Sequence, residues 1–316
     1  MINLILTQVC NRRCPYCFAR DMLAVGADAS QYFMEPSMFE AALALAERSR
    51  APEIRFLGGE PTLHPEFIRF AEKVLARGLK LLVFSNGLIP PGPLQFLKSC
   101  TQKQAGLLVN VNDEATYEPG EYDRLKERLA ALGQKVTCGY NISRPGFTLE
   151  PIIRLIQELN LYPSIRLGLA HPVLSGGNQH LNWADVPAVA TDIIAAARLA
   201  DPLDIILGLD CGFTHCMFRD YYAEIISLRI NFKSCCQPVL DLTPDGKMWY
   251  CLALWGHPPF YKLGDFPDLQ TFREEFEAKF AILRSAGMLN DCPDCKFRRT
   301  GQCSGGCFSR ILRQWQ

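Results

Sequence analysis

The sequence has no surplus of either charge: 33 lysines and arginines face 33 aspartates and glutamates. A nucleic-acid binder draws its partner with a basic excess, and nothing here supplies one. No apolar run reaches the roughly 18 residues that cross a bilayer. The opening MINLILTQVC lacks the basic flank of a signal peptide and suits a core strand. Internal repeats and low-complexity segments are missing too. These absences lead us to expect a cytoplasmic globular protein with no membrane or nucleic-acid partner. What is abundant is cysteine, with 14 in 316 residues. A reducing compartment disfavours disulfides, so clustered cysteines there point to metal.

Residues 1–200 alternate short apolar runs with helical periodicity. The expected strands are 3–7, 53–57, 80–85, 106–111, 135–142 and 164–170. Pro36 and Pro65 stand where first-turn prolines belong, and Gly78 and Gly133 follow helix ends. Strand–helix repetition means parallel strands with right-handed crossovers. The expected fold is α/β: a partial (β/α)6 TIM-like barrel over 1–205, then a small cysteine-rich domain with a β-hairpin over 206–316. The hairpin turns at Pro244-Asp245-Gly246, and an amphipathic helix is expected around 268–286. In parallel barrels the chemistry gathers at the C-terminal strand ends.

Three motifs fall at such ends. Cys10, Cys14 and Cys17 form C-x3-C-x2-C after the first strand, with Tyr16 before the last cysteine. Three thiolates suit a [4Fe–4S] cluster with one iron left open, whereas a zinc knuckle wants a fourth ligand nearby. GGEP (Gly58, Gly59, Glu60, Pro61) ends the second strand, and FSNG, with Ser85 and Asn86, ends the third.

The cysteine spacing resembles the signature of the radical S-adenosylmethionine enzymes, and Gly58–Pro61 resemble that family's GGEP segment. The resemblance implies that the three cysteines hold a [4Fe–4S] cluster and that S-adenosylmethionine binds its open iron. It implies further that carbonyls near Gly59, together with Glu60, accept bonds from the ammonium of S-adenosylmethionine. Ser85 and Asn86 would then reach its ribose or carboxylate, although an ordinary β-to-α turn also explains them. Asn141 and Arg166 are further cofactor-contact candidates, Arg166 equally an ion-pair partner. Chemically the resemblance implies reductive cleavage to a 5′-deoxyadenosyl radical, which abstracts a hydrogen atom from substrate.

The tail carries the other cysteine group. Cys236-x9-Gly246-x4-Cys251, then Cys292-x2-Cys295-x7-Cys303-x3-Cys307, resembles the SPASM extension, which carries auxiliary [4Fe–4S] clusters. A zinc ribbon is the other reading of the second run. The usual final cysteine is missing after Cys307, where only FSRILRQWQ remains. Two clusters need about eight thiolates by the four-per-cluster rule, and Cys211, Cys216 and Cys235 bring the available number to nine. Family wiring puts Cys236, Cys251 and Cys307 in one cluster with Cys216. It puts Cys292, Cys295 and Cys303 in the other, with Cys211, Cys235 or a substrate atom as fourth ligand. Cys100, Cys138 and His215 are expected to be structural.

The expected enzyme modifies a peptide or small protein, helped by a separate leader-recognition protein because the first strand begins almost at residue 1, and takes electrons from a flavodoxin or ferredoxin. Alternatives are a small-molecule substrate such as an amino-sugar, or a non-catalytic iron–sulfur or zinc scaffold.

Overall fold

Apolar runs of five or six residues alternate with helices through the first two thirds of the chain. The strands are β1 (Ile2–Thr7), β2 (Glu53–Gly58), β3 (Lys80–Ser85), β4 (Ala105–Asn110), β5 (Val136–Ile142) and β6 (Ser164–Leu169). Between and after them run α1 (Pro36–Arg48), α2 (Phe67–Ala76), α3 (Pro91–Ser99), α4 (Glu121–Leu132), α5 (Glu150–Glu158) and α6 (Val186–Ala200). The computed structural model describes residues 1–23 and 32–314, apart from the side chains of Cys211 and Gln314. Pro36 opens α1 as expected, but Pro65 lies two residues ahead of α2.

These strands pair in chain order, all parallel. The arc is the partial barrel the sequence predicts. The same sheet runs on past residue 205, through β7 (Ile206–Cys211) and β8 (Ile230–Phe232), with α7 (Tyr222–Ser227) between them. The hairpin of β9 (Asp241–Leu242) and β10 (Lys247–Trp249) returns to the other edge. There β9 pairs parallel with β1, and β11 (Tyr261–Lys262) closes the sheet. The expected helix around 268–286 is two, α8 (Leu269–Lys279) and α9 (Ala281–Ala286), broken at Phe280. Two short helices, α10 (Lys296–Arg299) and α11 (Phe308–Gln314), complete the chain. Among the described residues no helix is long and apolar enough to cross a membrane.

Strand alternation separates two faces. Ile54 and Phe56, Leu81 and Val83, Cys138 and Tyr140, and Ile165 and Leu167 are buried under the helices. Phe39 of α1 stacks on Phe70 of α2 at 4.0 Å and meets Phe56 edge-on at 6.0 Å, which seats both helices on β2. The alternate residues Arg55, Phe84, Asn110, Asn141 and Arg166 are only half-buried and line the concave face. Cys138 is thus in the helix-side core, opposite Asn141, and Cys100 is buried beneath α3.

The junction of β9 with β1 buries a carboxyl. Asp241 stands opposite Asn3 and accepts from its Nδ2 at 2.7 Å. Burial pushes its pKa up to about 7 against the pull of Asn3 and the Leu252 amide. In the unfolded chain the same group ionises near its ordinary value, so folding takes up a proton between about pH 4 and pH 7. Stability therefore falls as pH rises through that window and stays lower above it. Asp241→Asn should match wild type in melting temperature near pH 4 and exceed it by neutral pH. The gain should be at most roughly 4 kcal/mol. Melting curves across that range check this, and a difference independent of pH would refute it.

Candidate functional site

The loop after β1 has no regular structure of its own, so its shape is set by its neighbours. Gly59 N donates to Thr7 O and Glu60 N to Val9 O, both at 2.8 Å, which zips the GGEP turn to the start of the cysteine loop. A Cβ on Gly59 would fall 2.3 Å from Val9 O and 2.8 Å from Cys10 Cβ. One on Gly58 would fall 2.4 Å from Thr7 O. The glycines are there so that the cysteine loop can lie against them.

Glu60 is wholly buried, and its carboxylate is fully engaged. It accepts from Thr62 Oγ1 at 2.6 Å, Thr62 N at 3.2 Å and Asn86 N at 2.8 Å, and Ser85 Oγ lies 3.0 Å from both its oxygens. Burial pushes its pKa up, while these donors pull it back. Glu60 therefore fastens the end of β2 to the end of β3. Its oxygens already have partners, unlike those of an acceptor facing an incoming ammonium. Pro61 follows it, buried in a 3₁₀ turn.

Asn86 carries the fastening on to the cysteines. Its Nδ2 donates to Asn11 Oδ1 at 2.7 Å and lies 3.7 Å from Cys10 Sγ, while Asn11 Nδ2 donates to Leu88 O at 3.1 Å. On the opposite side Arg12, almost buried, donates to Thr116 O and lies 3.7 Å over the Tyr117 ring. The loop after β6 holds the far end: Gln179 N donates to Pro15 O at 2.8 Å, and the buried Asn178 reaches Tyr16 O and His171 O. Cys10, Cys14 and Cys17 thus converge. Burial pushes Cys10 up to about 11 and Cys17 up to about 12, and the neighbouring Cys14 adds to both. A donor set of three clustered soft sulfurs on a rigid loop fits an iron–sulfur cluster with an open iron.

The strand-end rule also locates residues that sequence reasoning passed over. Asn110 ends β4 with its Oδ1 buried and without a hydrogen-bond partner, facing Gly139 across the strand pair. It obeys the same rule that singled out Asn141, which sits on the concave face of β5. Arg166 binds Asp210 at 2.6 Å, so it is an ion-pair partner between β6 and β7. Arg12 and Asn178 carried no motif; only their contacts identify them.

In the tail, Cys236 and Cys307 lie together. Burial and then the Cys307 thiol push Cys236 up to about 12. Burial also pushes Cys307 up, but the His171 ring and the Ser309 hydroxyl, 3.2 Å away, bring it below its ordinary value. Cys251 precedes the turn Leu252–Leu254, against which α11 packs. Cys216 departs from the expected wiring. It stands beside Cys292 and Cys295, and beside Cys303, not with the Cys236 group. Its backbone leaves β7 through a 3₁₀ segment that turns toward the tail. Cys235 also lies near Cys303, with Sγ 3.5 Å from Gly301 O. The Cys211 side chain lies outside the described residues. His215 stacks on Phe297 at 4.1 Å and pairs with Ser234 Oγ. Among the described residues no three His, Cys, Asp or Glu side chains stand close enough to hold a single metal ion.

Two losses follow. Replacing Cys10, Cys14 and Cys17 with alanine should abolish 5′-deoxyadenosine formation under dithionite while tail iron persists. Product formed by that variant would refute the site. Glu60→Ala strands buried donors on Thr62, Ser85 and Asn86, and should cost on the order of 3 kcal/mol. Urea unfolding measures this, with Glu60→Gln expected to recover part of the loss.

Comparison with known proteins identifies a family model and a fold. The family model described as Radical SAM superfamily matches residues 4–159. A probable GTP 3′,8-cyclase of Pyrococcus horikoshii is 24% identical over 201 residues, covering 63% of this chain. The chain spans about half of that relative's length, 55%. Among solved structures, SuiB of Streptococcus suis bound to S-adenosylmethionine is similar over 99% of this chain and 73% of its own, with TM-score 0.69 and 14% identity. SuiB bound to precursor peptide SuiA gives 0.68 at 15% identity, over 99% of this chain and 72% of its own. The enzyme anSMEcpe with AdoMet and the Cp18Cys peptide gives 0.65 at 16% identity, over 97% and 88%. At these identities the likeness is one of fold.

Proposed function

We propose that the chain, whose residues 4–159 match the Radical SAM superfamily model, is a radical S-adenosylmethionine enzyme that abstracts a hydrogen atom from a side chain of a peptide or small protein. When bound, the [4Fe–4S] cluster and S-adenosylmethionine supply a single reductive cleavage that yields methionine and the 5′-deoxyadenosyl radical. Cys10, Cys14 and Cys17 would hold the cluster. Backbone around Gly58, Gly59 and Pro61, with Ser85 and Asn86 behind it, would shape the S-adenosylmethionine seat. Asn110 and Asn141 face the concavity where a substrate would lie. The division into a barrel over 1–205 and a cysteine-rich unit over 206–316 fits this reading. The second unit would carry auxiliary clusters on Cys236, Cys251 and Cys307 and on Cys292, Cys295 and Cys303.

The observation that carries the peptide reading is a cleft of about 440 Å³ at the seam of the two units. Leu181, Asn182 and Trp183 from the loop after β6 form one wall, and Arg310 and Arg313 of α11 form the other. Arg310 bridges the seam by donating to Leu181 O at 2.8 Å and Ala170 O at 3.2 Å. The loop that forms the first wall is the one that holds Pro15 and Tyr16 of the cysteine loop. Hydrogen transfer needs a target carbon within roughly 3–3.5 Å of the radical carbon. An extended segment can put one residue there and leave along the seam. Two fold relatives were solved with peptides, which supports the same reading. A flavodoxin or ferredoxin would supply the electron, and a separate protein would recognise a leader.

The test incubates the reconstituted chain with S-adenosylmethionine, dithionite and short peptides encoded beside its gene. We expect 5′-deoxyadenosine in step with a mass change on one peptide. Trp183→Ala should lower kcat/KM for the peptide about tenfold through KM, without affecting 5′-deoxyadenosine made in the peptide's absence. Product with an amino-sugar and none with any peptide would transfer the assignment to small-molecule chemistry.

A further inference from the structure

Cys292, Cys295 and Cys303 offer three thiols where a four-iron cluster takes four, and the fold brings a further cysteine to them from upstream. Cys216, Cys292, Cys295 and Cys303 line a single cavity of about 320 Å³, together with His215 and Arg298. The tail cysteines come from the turns around α10, whereas Cys216 belongs to the segment that leaves β7. Cys235 is not among the residues lining the cavity. We propose that Cys216 is the fourth ligand of an iron–sulfur cluster held by Cys292, Cys295 and Cys303. This rests on the iron–sulfur reading of the tail.

Three further observations favour it. First, the cavity is built for sulfur. Gly305 N points at Cys303 Sγ at 3.4 Å, and Thr214 Oγ1 lies 3.1 Å from Cys216 Sγ. Such donors stabilise thiolates that share charge with iron. Second, the cavity has a cation with nothing to bind. Arg298 Nη1 is buried and has no hydrogen-bond partner. It lies beside Gly287, as does Cys292 Sγ: a Cβ on Gly287 would fall 2.9 Å from one and 2.8 Å from the other. A buried guanidinium N–H without an acceptor is costly. Four thiolates around an iron–sulfur core leave net negative charge, and Arg298 offsets it. Third, the four thiols line a volume of about 320 Å³, the kind of space a four-iron cluster fills, whereas zinc would draw four sulfurs to about 2.3 Å from one centre.

The experiment uses the full chain carrying Cys10→Ala, Cys14→Ala and Cys17→Ala, reconstituted anaerobically with iron and sulfide. Iron, sulfide and zinc are counted and the clusters followed by Mössbauer and EPR spectroscopy. We expect about eight irons in this background by the four-per-cluster rule. Adding Cys216→Ser should remove about four or leave a three-iron form, as Cys292→Ser does. Full iron in Cys216→Ser beside loss in Cys292→Ser would overturn the assignment. So would loss in Cys235→Ser with none in Cys216→Ser, which makes Cys235 the ligand. Background protein with zinc, or without tail iron, would overturn the tail reading itself, a separate failure visible before any Cys216 change. Should Cys216→Ser not fold, alkylation of the unaltered chain decides. Cys216 should resist iodoacetamide in loaded protein and react after chelation in step with Cys292. Alkylation of Cys216 at the same rate in both states refutes the proposal.

Discussion

One buried carboxylate organises the site. Glu60 has no water to solvate it, so it is tolerable only where donors are fixed around it. Those donors come from its own turn and from the end of the next strand. The ends of β2 and β3 therefore behave as one rigid body, and Asn86 extends that body to Cys10. A cysteine loop without secondary structure is held in this way from four sides. Behind it are the two glycines, and beside it Asn86. Across from it are Arg12 with Thr116 and Tyr117, and at its far end is the loop bearing Asn178. Pre-organisation of this kind keeps three ligand thiols together before any metal arrives to hold them.

The arc of strands leaves its concave face only partly filled. In a closed barrel inward side chains pack in layers into a core. Here Arg55, Phe84, Asn110, Asn141 and Arg166 keep partial exposure, and the Arg166–Asp210 pair spans β6 and β7. Polar groups on such a face can be met by a ligand. Beside the loop after β6, Arg310 of α11 donates to Leu181 O and lines a cleft with Trp183 and Arg313.

Much of this was legible in the sequence. Parallel strands buried under helices read as apolar runs, and all six expected strands agree with β1–β6 to within two residues at either end. The cysteine loop, GGEP and FSNG were locatable because chemistry in such folds gathers at strand ends. What stayed hidden was pairing across the chain. INF of β8 is too short to signal, and β9 acquires its parallel partner from residues more than two hundred positions away. A glycine pair announces close approach but not what approaches, and only the fold shows that the cysteine loop lies against it. Spacing rules read cysteines in order along the chain, so they could not show that the segment after β7 brings Cys216 beside Cys292, Cys295 and Cys303. The Arg166 ion pair needed Asp210, which only the register of β6 on β7 supplies.

The position of β1 has a consequence for assembly. It lies between β2 and β9, so one edge is unpaired until residues 241–242 have been made. Residues from the same returning segment, Leu252 and Trp255, also pack with Cys17, Leu57 and Ile5 behind the cysteine loop. During synthesis the first cysteines therefore leave the ribosome long before their surroundings exist, with an open strand edge beside them. Cofactor loading at the N-terminal site is then a late event in the life of the chain, following the return of β9 to the edge of β1.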